Sequence, residues 1–300
     1  MAKVVTKLNK ANCITHSGTM HADEVFATAF LDMYLGERIV YRTNNVPEDI
    51  DANILVYDVG RGKYDHHQLD AKKRDNNITY SSFGLLWQDF GRDFLKKYEV
   101  EYVEDVFLGI DKDLVEYIDA DDNGVFPRID AKYNVKTLPG IVKMFNPSFL
   151  SGEDEATQFE KAVSLARAIL EEEILYINGK VYAERQINEL LNDLDSNDKF
   201  LILNTYIPYE ETILNNEKGN NLLFVAFPSN RGGYAIKTLP KSVEDKSARL
   251  DFPEEWAGLE VGELQKKSGI KGLMFCHVGR FIVSCKDLDT VYEVFNKIIK

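Results

Sequence analysis

No apolar run in this chain approaches the roughly 20 residues that a bilayer-spanning helix needs, so no membrane partner is expected. Cysteine is scarce: Cys13, Cys276 and Cys285 are an odd number, and none sits in a C-x-x-C pair. That argues against a disulfide framework and against a zinc knuckle. The phosphate loops G-x-x-x-x-G-K-[ST] and G-x-G-x-x-G are missing, and so are G-x-S-x-G and H-E-x-x-H. Their absence removes the commonest nucleotide-binding, serine hydrolase and zinc protease designs. Positive charge is also in deficit. With 36 bases against 49 acids and a net charge of −13, the surface repels long polyanions and gives little non-specific nucleic-acid affinity. Bound divalent cations and a local basic rim would still attract a short one, so the charge limits a substrate's size more than its class. The opening MAKVVTKLNKANC is basic without a signal-type apolar core, so a reducing, cytoplasmic setting is expected.

What remains is the composition of an ordinary globular protein, 44% apolar and 28% charged. Asn12 to Thr15, Arg38 to Thr43 and Asn53 to Tyr57 read as short strands. An amphipathic helix between the first two opens at Asp23-Glu24 and stops near Gly36, with Val25, Phe26, Ala29, Phe30 and Met33 on its apolar side. This alternation predicts a parallel sheet flanked by helices. Further helices are expected from Ser81 to about Leu95, from Val103 to Ala120, and from Glu153 to about Leu194, the last as two pieces meeting near Asn178-Gly179. Lys72 to Asn77 reads as a solvated basic loop, and prolines punctuate an irregular stretch after Gly124. From Phe200 the texture changes to short strands separated by turns, with a last helix near Asp287. Two domains are predicted, residues 1–195 and a smaller α/β domain over residues 196–300.

The chemistry gathers in the first domain. Four of the five histidines, His16, His21, His66 and His67, lie within the first 67 residues. Asp23, Asp58 and Asp65 accompany them, and His16, Arg42 and Asp58 fall at the carboxyl ends of strands, where open parallel sheets bind ligands. Asp119 and Asp122, three apart near a helix end, share a face and are placed to close the group. Singly, each residue is more simply a hydrogen-bonded histidine, a first-turn acid or a helix stop. Together, imidazole and carboxylate at this density are the donor set of hard-to-borderline divalent ions such as Mn²⁺ or Mg²⁺. Two such ions about 3.5–4 Å apart activate water and hold a phosphoryl oxygen. Cys13, close to His16, is a minor candidate nucleophile, because a cysteine inside a buried strand is usually inert.

At Asp65-His66-His67 the sequence resembles the DHH phosphoesterase superfamily. The segments H-S-G-T-M-H-A-D-E, D-V-G, Y-D-H-H-Q and D-A-D-D-N-G are more closely similar to the melanocyte-proliferating-gene-1 family, and matching segments continue through Phe281-Ile282. The resemblance implies an N-terminal DHH-type metal-binding domain with a smaller C-terminal domain that holds substrate. By position, it implies metal ligation by His16, His21, Asp23, Asp58 and His66, with Asp119 or Asp122 as the fourth-motif ligand. Asp65 and His67 are then catalytic, Arg280 both catalytic and substrate-binding, and His277 and Arg42 substrate-binding. Val283-Ser284 stands where the family has Gly-Gly. The function implied is a phosphodiesterase using Mn²⁺ in the first instance, or Mg²⁺, as two ions, and acting 3′-to-5′ on short RNA. The alternatives are hydrolysis of a small phosphorylated metabolite or pyrophosphate, and metal binding without catalysis.

Overall fold

A computed structural model describes residues 1–299 of the chain. They divide into two compact units, one ending at Gly179 and the other beginning at Lys180. The first contains β1 (Lys3–Val5), β2 (Cys13–Thr15), α1 (Ala22–Leu35), β3 (Ile39–Arg42), β4 (Leu55–Val56), α2 (Ser82–Lys97), α3 (Val103–Ile110), α4 (Glu116–Asp122), α5 (Leu138–Lys143) and most of α6 (Glu155–Asn192). Its sheet runs in the order β1-β3-β2-β4 with every pairing parallel. The α/β class and parallel sheet agree with the hydrophobic pattern; β1 was not anticipated, being three residues long. Chain order places β3 on one side of β2 and β4 on the other, so a crevice opens at the carboxyl end of β2.

Helix α1 differs from the amphipathic helix its spacing predicts. Residues Ala22 to Asp32 are buried on every face, the acids Asp23, Glu24 and Asp32 included. The helix packs against α2, α4 and α5, so it has no solvent side left for its charges. Phe30 meets the rings of Phe83, Trp87 and Phe94, and Trp87 stacks on Phe107 at 5.3 Å. Each of these fully buried rings contributes about 2–3 kcal/mol by leaving water. These rings pack α1 and α2 into one buried core. Between α3 and α4 the helix widens into a π segment, Asp111–Val115, a feature common near functional sites.

The second unit contains β5 (Phe200–Ile202), α7 (Glu210–Leu214), β6 (Phe224–Pro228), β7 (Tyr234–Thr238), α8 (Val261–Ser268), β8 (Leu273–Cys276), β9 (Ile282–Cys285) and α9 (Leu288–Ile298). Its sheet order is β5-β6-β7-β9-β8, antiparallel apart from the β5–β6 pair. Phe224, Phe252, Trp256, Val283 and Phe295 fill one core. The other includes Ile187 and Leu191 from the end of α6. The division thus falls inside α6, whereas the change of texture lies near 195. Packing changes before secondary structure does, because the last turns of the helix belong to the second core. The helix itself is continuous through Asn178-Gly179 rather than broken there. Among the described residues, no helix is long and apolar enough to cross a membrane.

Candidate metal centre

Backbone geometry delivers the donors to one place. His16 follows the end of β2, and Asp58 stands two residues beyond β4 in the left-handed conformation, φ 57°. Aspartate tolerates that conformation better than most residues, but still at some strain, and such strain is stored where it aims a functional group. His21 is the N-cap of α1, with Asp23 and Glu24 in the first turn. His66 lies in the loop after β4, and Asp122 ends α4.

Asp58 turns one carboxylate oxygen to each of two imidazoles. Its Oδ2 is 3.2 Å from His16 Nε2 and its Oδ1 is 3.2 Å from His66 Nε2. His16 Nε2 is also 3.3 Å from Glu24 Oε1, and His66 Nε2 is 3.0 Å from Asp122 Oδ2 and 3.9 Å from Asp23 Oδ2. Yet His16 Nε2, His66 Nε2, Asp23 Oδ1 and Asp58 Oδ1 are all buried without a hydrogen bond. Their separations are short enough; their angles are wrong. Buried polar atoms left unpaired cost about 1–3 kcal/mol each, and one shared partner that accepts several lone pairs at once would relieve all four. A divalent cation is such a partner. His16, His21 and Glu24 form one group whose donor atoms lie within 4.8 Å of one another; Asp58, His66 and His67 form a second, and His21, Asp23 and Asp122 a third. This oxygen and imidazole set contains no thiolate, the donor most typical of structural zinc sites.

The electrostatics agree. Burial pushes the Asp23 carboxyl well above its usual pKa, and the neighbouring Asp58, Asp122 and Glu24 push it further against the pull of His66. Burial would lower the pKa of His16, but Asp58 and Glu24 outweigh it and raise it to about 11; Asp122 and Asp58 do the same to His66, also to about 11. Without a cation these rings hold protons that offset the acids. A metal must displace them, because only the neutral imidazole ligates. The sign follows: raised histidine pKa values keep the competing proton bound through neutrality, so affinity increases with pH. Isothermal titration with Mn²⁺ in buffers of different ionisation enthalpy should register proton release, and binding should weaken steadily on acidification. A pH-independent affinity between pH about 6 and 8 would contradict this assignment.

Sequence reasoning placed His16, His21, Asp23, Asp58, His66 and Asp122 together, and the structure brings them together. Glu24 was missed. It is fully buried, and it accepts the backbone N–H of His21 while facing His16; its only signal was its place directly after Asp23. Ser82 was also missed, and its hydroxyl donates to Asp23 Oδ2 at 2.7 Å.

Two residues are corrected. Asp119 is not in the cluster: one oxygen accepts from Arg74 Nε at 2.8 Å and the other from Ser81 N and Oγ at 2.9 and 2.7 Å. The shared face with Asp122 is real, but Asp119 packs so tightly on the start of α2 that a Cβ at Gly84 would clash with its carboxylate. Arg42 is not a free substrate clamp. Its side chain is only 4% exposed, and it donates to His16 O, Gly18 O and Glu155 Oε1. It braces the His16–Met20 loop from beneath. The Lys72 to Asn77 loop is likewise not simply solvated, since Arg74 is buried between Asp111 and Asp119. Cys13 is fully buried, and burial pushes its pKa up to about 11, which leaves it inert as a nucleophile.

Asp65 acts on His67. Its Oδ1 is 2.7 Å from His67 Nδ1 and its Oδ2 accepts from Arg61 N. Burial works upward on the Asp65 carboxyl, but these hydrogen bonds outweigh it and lower its pKa. An ionised Asp65 makes Nδ1 the donor and presents Nε2 of a ring that is 61% exposed. In the second unit, Arg280 pairs with Asp251 at 2.9 Å. His277 lines a cavity of about 920 Å³ with Tyr206, Phe227, Arg231, Phe275 and Lys286, and no acid lines it.

The family described as MYG1_exonuc, Uncharacterised protein family (UPF0160), matches residues 12–299. The chain belongs to this family. Among MYG1 relatives, a MYG1 protein of Saccharomyces cerevisiae is 28% identical over 97% of this chain and 96% of its own length. The MYG1 exonuclease of Homo sapiens is 29% identical over 89% of this chain and 80% of its own. A MYG1 protein of Chlamydia trachomatis is 26% identical over 95% and 96%. No solved structure matches the chain.

Proposed function

We propose that this chain is a divalent-metal-dependent phosphodiesterase that removes nucleotides from the 3′ end of short RNA. The observation that carries the reading is Asp58, set between His16 and His66 with one oxygen toward each, as a carboxylate bridging two ions would be. The human and bovine relatives are named MYG1 exonucleases, which supports the reaction class. His16, His21, Glu24, Asp23, Asp58, His66 and Asp122 would hold the ions. Bound there, divalent ions supply Lewis acidity, making nearby water more acidic and offsetting charge on a phosphoryl oxygen.

The chain's own residues do the rest. His67 Nε2, presented by Asp65 at the exposed edge of the cluster, is set to donate to a phosphoryl oxygen when the ring is protonated. Arg42 keeps the His16–Met20 loop in shape, and Ser82 fixes the rotamer of Asp23. The acid-free cavity around His277, with Arg280 nearby in the chain, supports a substrate-holding role for the second unit. The preponderance of acid elsewhere favours short substrates gripped at one end.

The test is metal-stripped protein refilled with Mn²⁺ and given 5′-labelled RNA oligomers. A ladder shortening from the 3′ end, dependent on metal and lost in Asp58→Ala and His66→Ala, is the expected result. No cleavage by wild type with metal bound would sink the proposal. Turnover that is fastest on mononucleotide-sized phosphates and falls with length would move the substrate to a small phosphorylated metabolite.

A further inference from the structure

The stretch from Asn123 to Leu150 reverses the charge of the chain around it. It holds Arg128, Lys132, Lys136 and Lys143 against one acid, Asp130, in a protein of net charge −13. It also displays rings to solvent: Phe126 is 67% exposed, Tyr133 77%, and Phe149 completely so. Three large rings exposed within one segment are a feature of interaction surfaces. Among the described residues, Arg128 and Lys132 make no ion pair, so their charges are free for a ligand.

Both ends of this stretch are tied to the cluster. Its first residue directly follows Asp122, which faces His66. Near its other end Asn146 grips the backbone of Met20 from both sides, accepting from Met20 N at 2.6 Å and donating to Met20 O at 3.0 Å. Met20 immediately precedes the candidate ligand His21. Cations and rings are interleaved along the segment, with Arg128 and Lys132 between Phe126 and Tyr133 and Lys136 after them. That interleaving fits a single strand, whose bases of any sequence stack on rings while its phosphates meet the cations.

We infer that residues 123–150 form a docking surface for single-stranded nucleic acid, with Phe126 and Tyr133 stacking bases and Arg128 and Lys132 taking backbone phosphates. The choice of this occupant rests on the phosphodiesterase reading, and the free cations favour a polyanion over a folded protein. The surface extends recognition several nucleotides beyond the scissile bond. It also gives an acidic protein one local rim to which a polyanion is drawn.

The experiment is fluorescence anisotropy with the full chain in EDTA, using a labelled RNA decanucleotide and a dinucleotide. Phe126→Ala/Tyr133→Ala should weaken decanucleotide binding about a hundredfold, roughly tenfold per stacking ring, and dinucleotide binding far less. Arg128→Gln/Lys132→Gln should reduce the slope of log affinity against log salt by about 1.4, from about 0.7 per phosphate contact on a single strand. Because the substituted residues are exposed, both variants should keep the wild-type circular dichroism. Unchanged decanucleotide affinity in both variants overturns the inference and leaves the surface to a protein partner. Cleavage is not part of this readout. Wild type that binds through these residues yet cleaves no RNA keeps the surface and loses the phosphodiesterase reading. RNA cleavage with variants that bind as tightly as wild type does the reverse.

Discussion

Asp58→Ala is expected to lower Mn²⁺ affinity by about a hundredfold or more, since even residues that only support a ligand are worth about 10–100-fold. The size follows from position. Asp58 faces both His16 and His66 and belongs to two of the donor groups, so its loss takes a carboxylate from each. Asp58→Asn separates charge from conformation, because asparagine also tolerates the left-handed backbone that Asp58 adopts at φ 57°. The Asn variant should fold and still lose most of the affinity. Equilibrium dialysis with Mn²⁺ and thermal unfolding with and without the ion would measure both. If the Asn variant bound within about threefold of wild type, the placing of Asp58 among the ligands would be wrong.

Arg74→Ala carries the largest expected cost to folding, about 3–5 kcal/mol, the usual penalty for removing one partner of a buried ion pair. Arg74 is 9% exposed and donates to both oxygens of Asp111 and to Asp119, with its guanidinium 4.5 Å from the centre of the Tyr80 ring. Burial opposes its charge, but these acids outweigh it and raise its pKa, so it stays ionised at any accessible pH. Its loss would strand Asp119, whose carboxyl burial already pushes up to about 6 against the pull of Arg74 and Ser81. Chemical denaturation should show the loss, while Mn²⁺ affinity of the folded variant should be little changed, because Asp119 lies outside the donor cluster. A destabilisation below about 1 kcal/mol would mean that water reaches the pair and screens it.

Much of the donor cluster was legible because its residue types are rare and crowded: four histidines in a short stretch do not arise from surface patterning. The three strands were legible by their apolar content, and β2 and β4 put His16 and Asp58 at neighbouring strand ends as their order in the chain suggested. Glu24 was not legible. An acid in the first turn of a helix is explained equally well by the helix dipole, and only the burial of α1 on all sides distinguishes the two. Arg42 was misread for a related reason. A strand-end arginine looks available until the carbonyls of His16 and Gly18 are seen to occupy it. Between Asp119 and Asp122, periodicity gave the shared face but could not reveal that Arg74, from a loop that reads as solvated, takes one of them.

The continuity of α6 decides how this molecule can be dissected. A fragment starting at residue 196 would lack Ile187 and Leu191, and the apolar floor they cover, Leu201, Leu203, Ile213, Leu222 and Val225, would lie open to water. Such a fragment would self-associate through that floor. One starting at Lys180 carries its own cover with it. The last turns of the helix therefore belong to the second half's core, and the boundary between the halves lies within a regular helix, where proteases rarely reach.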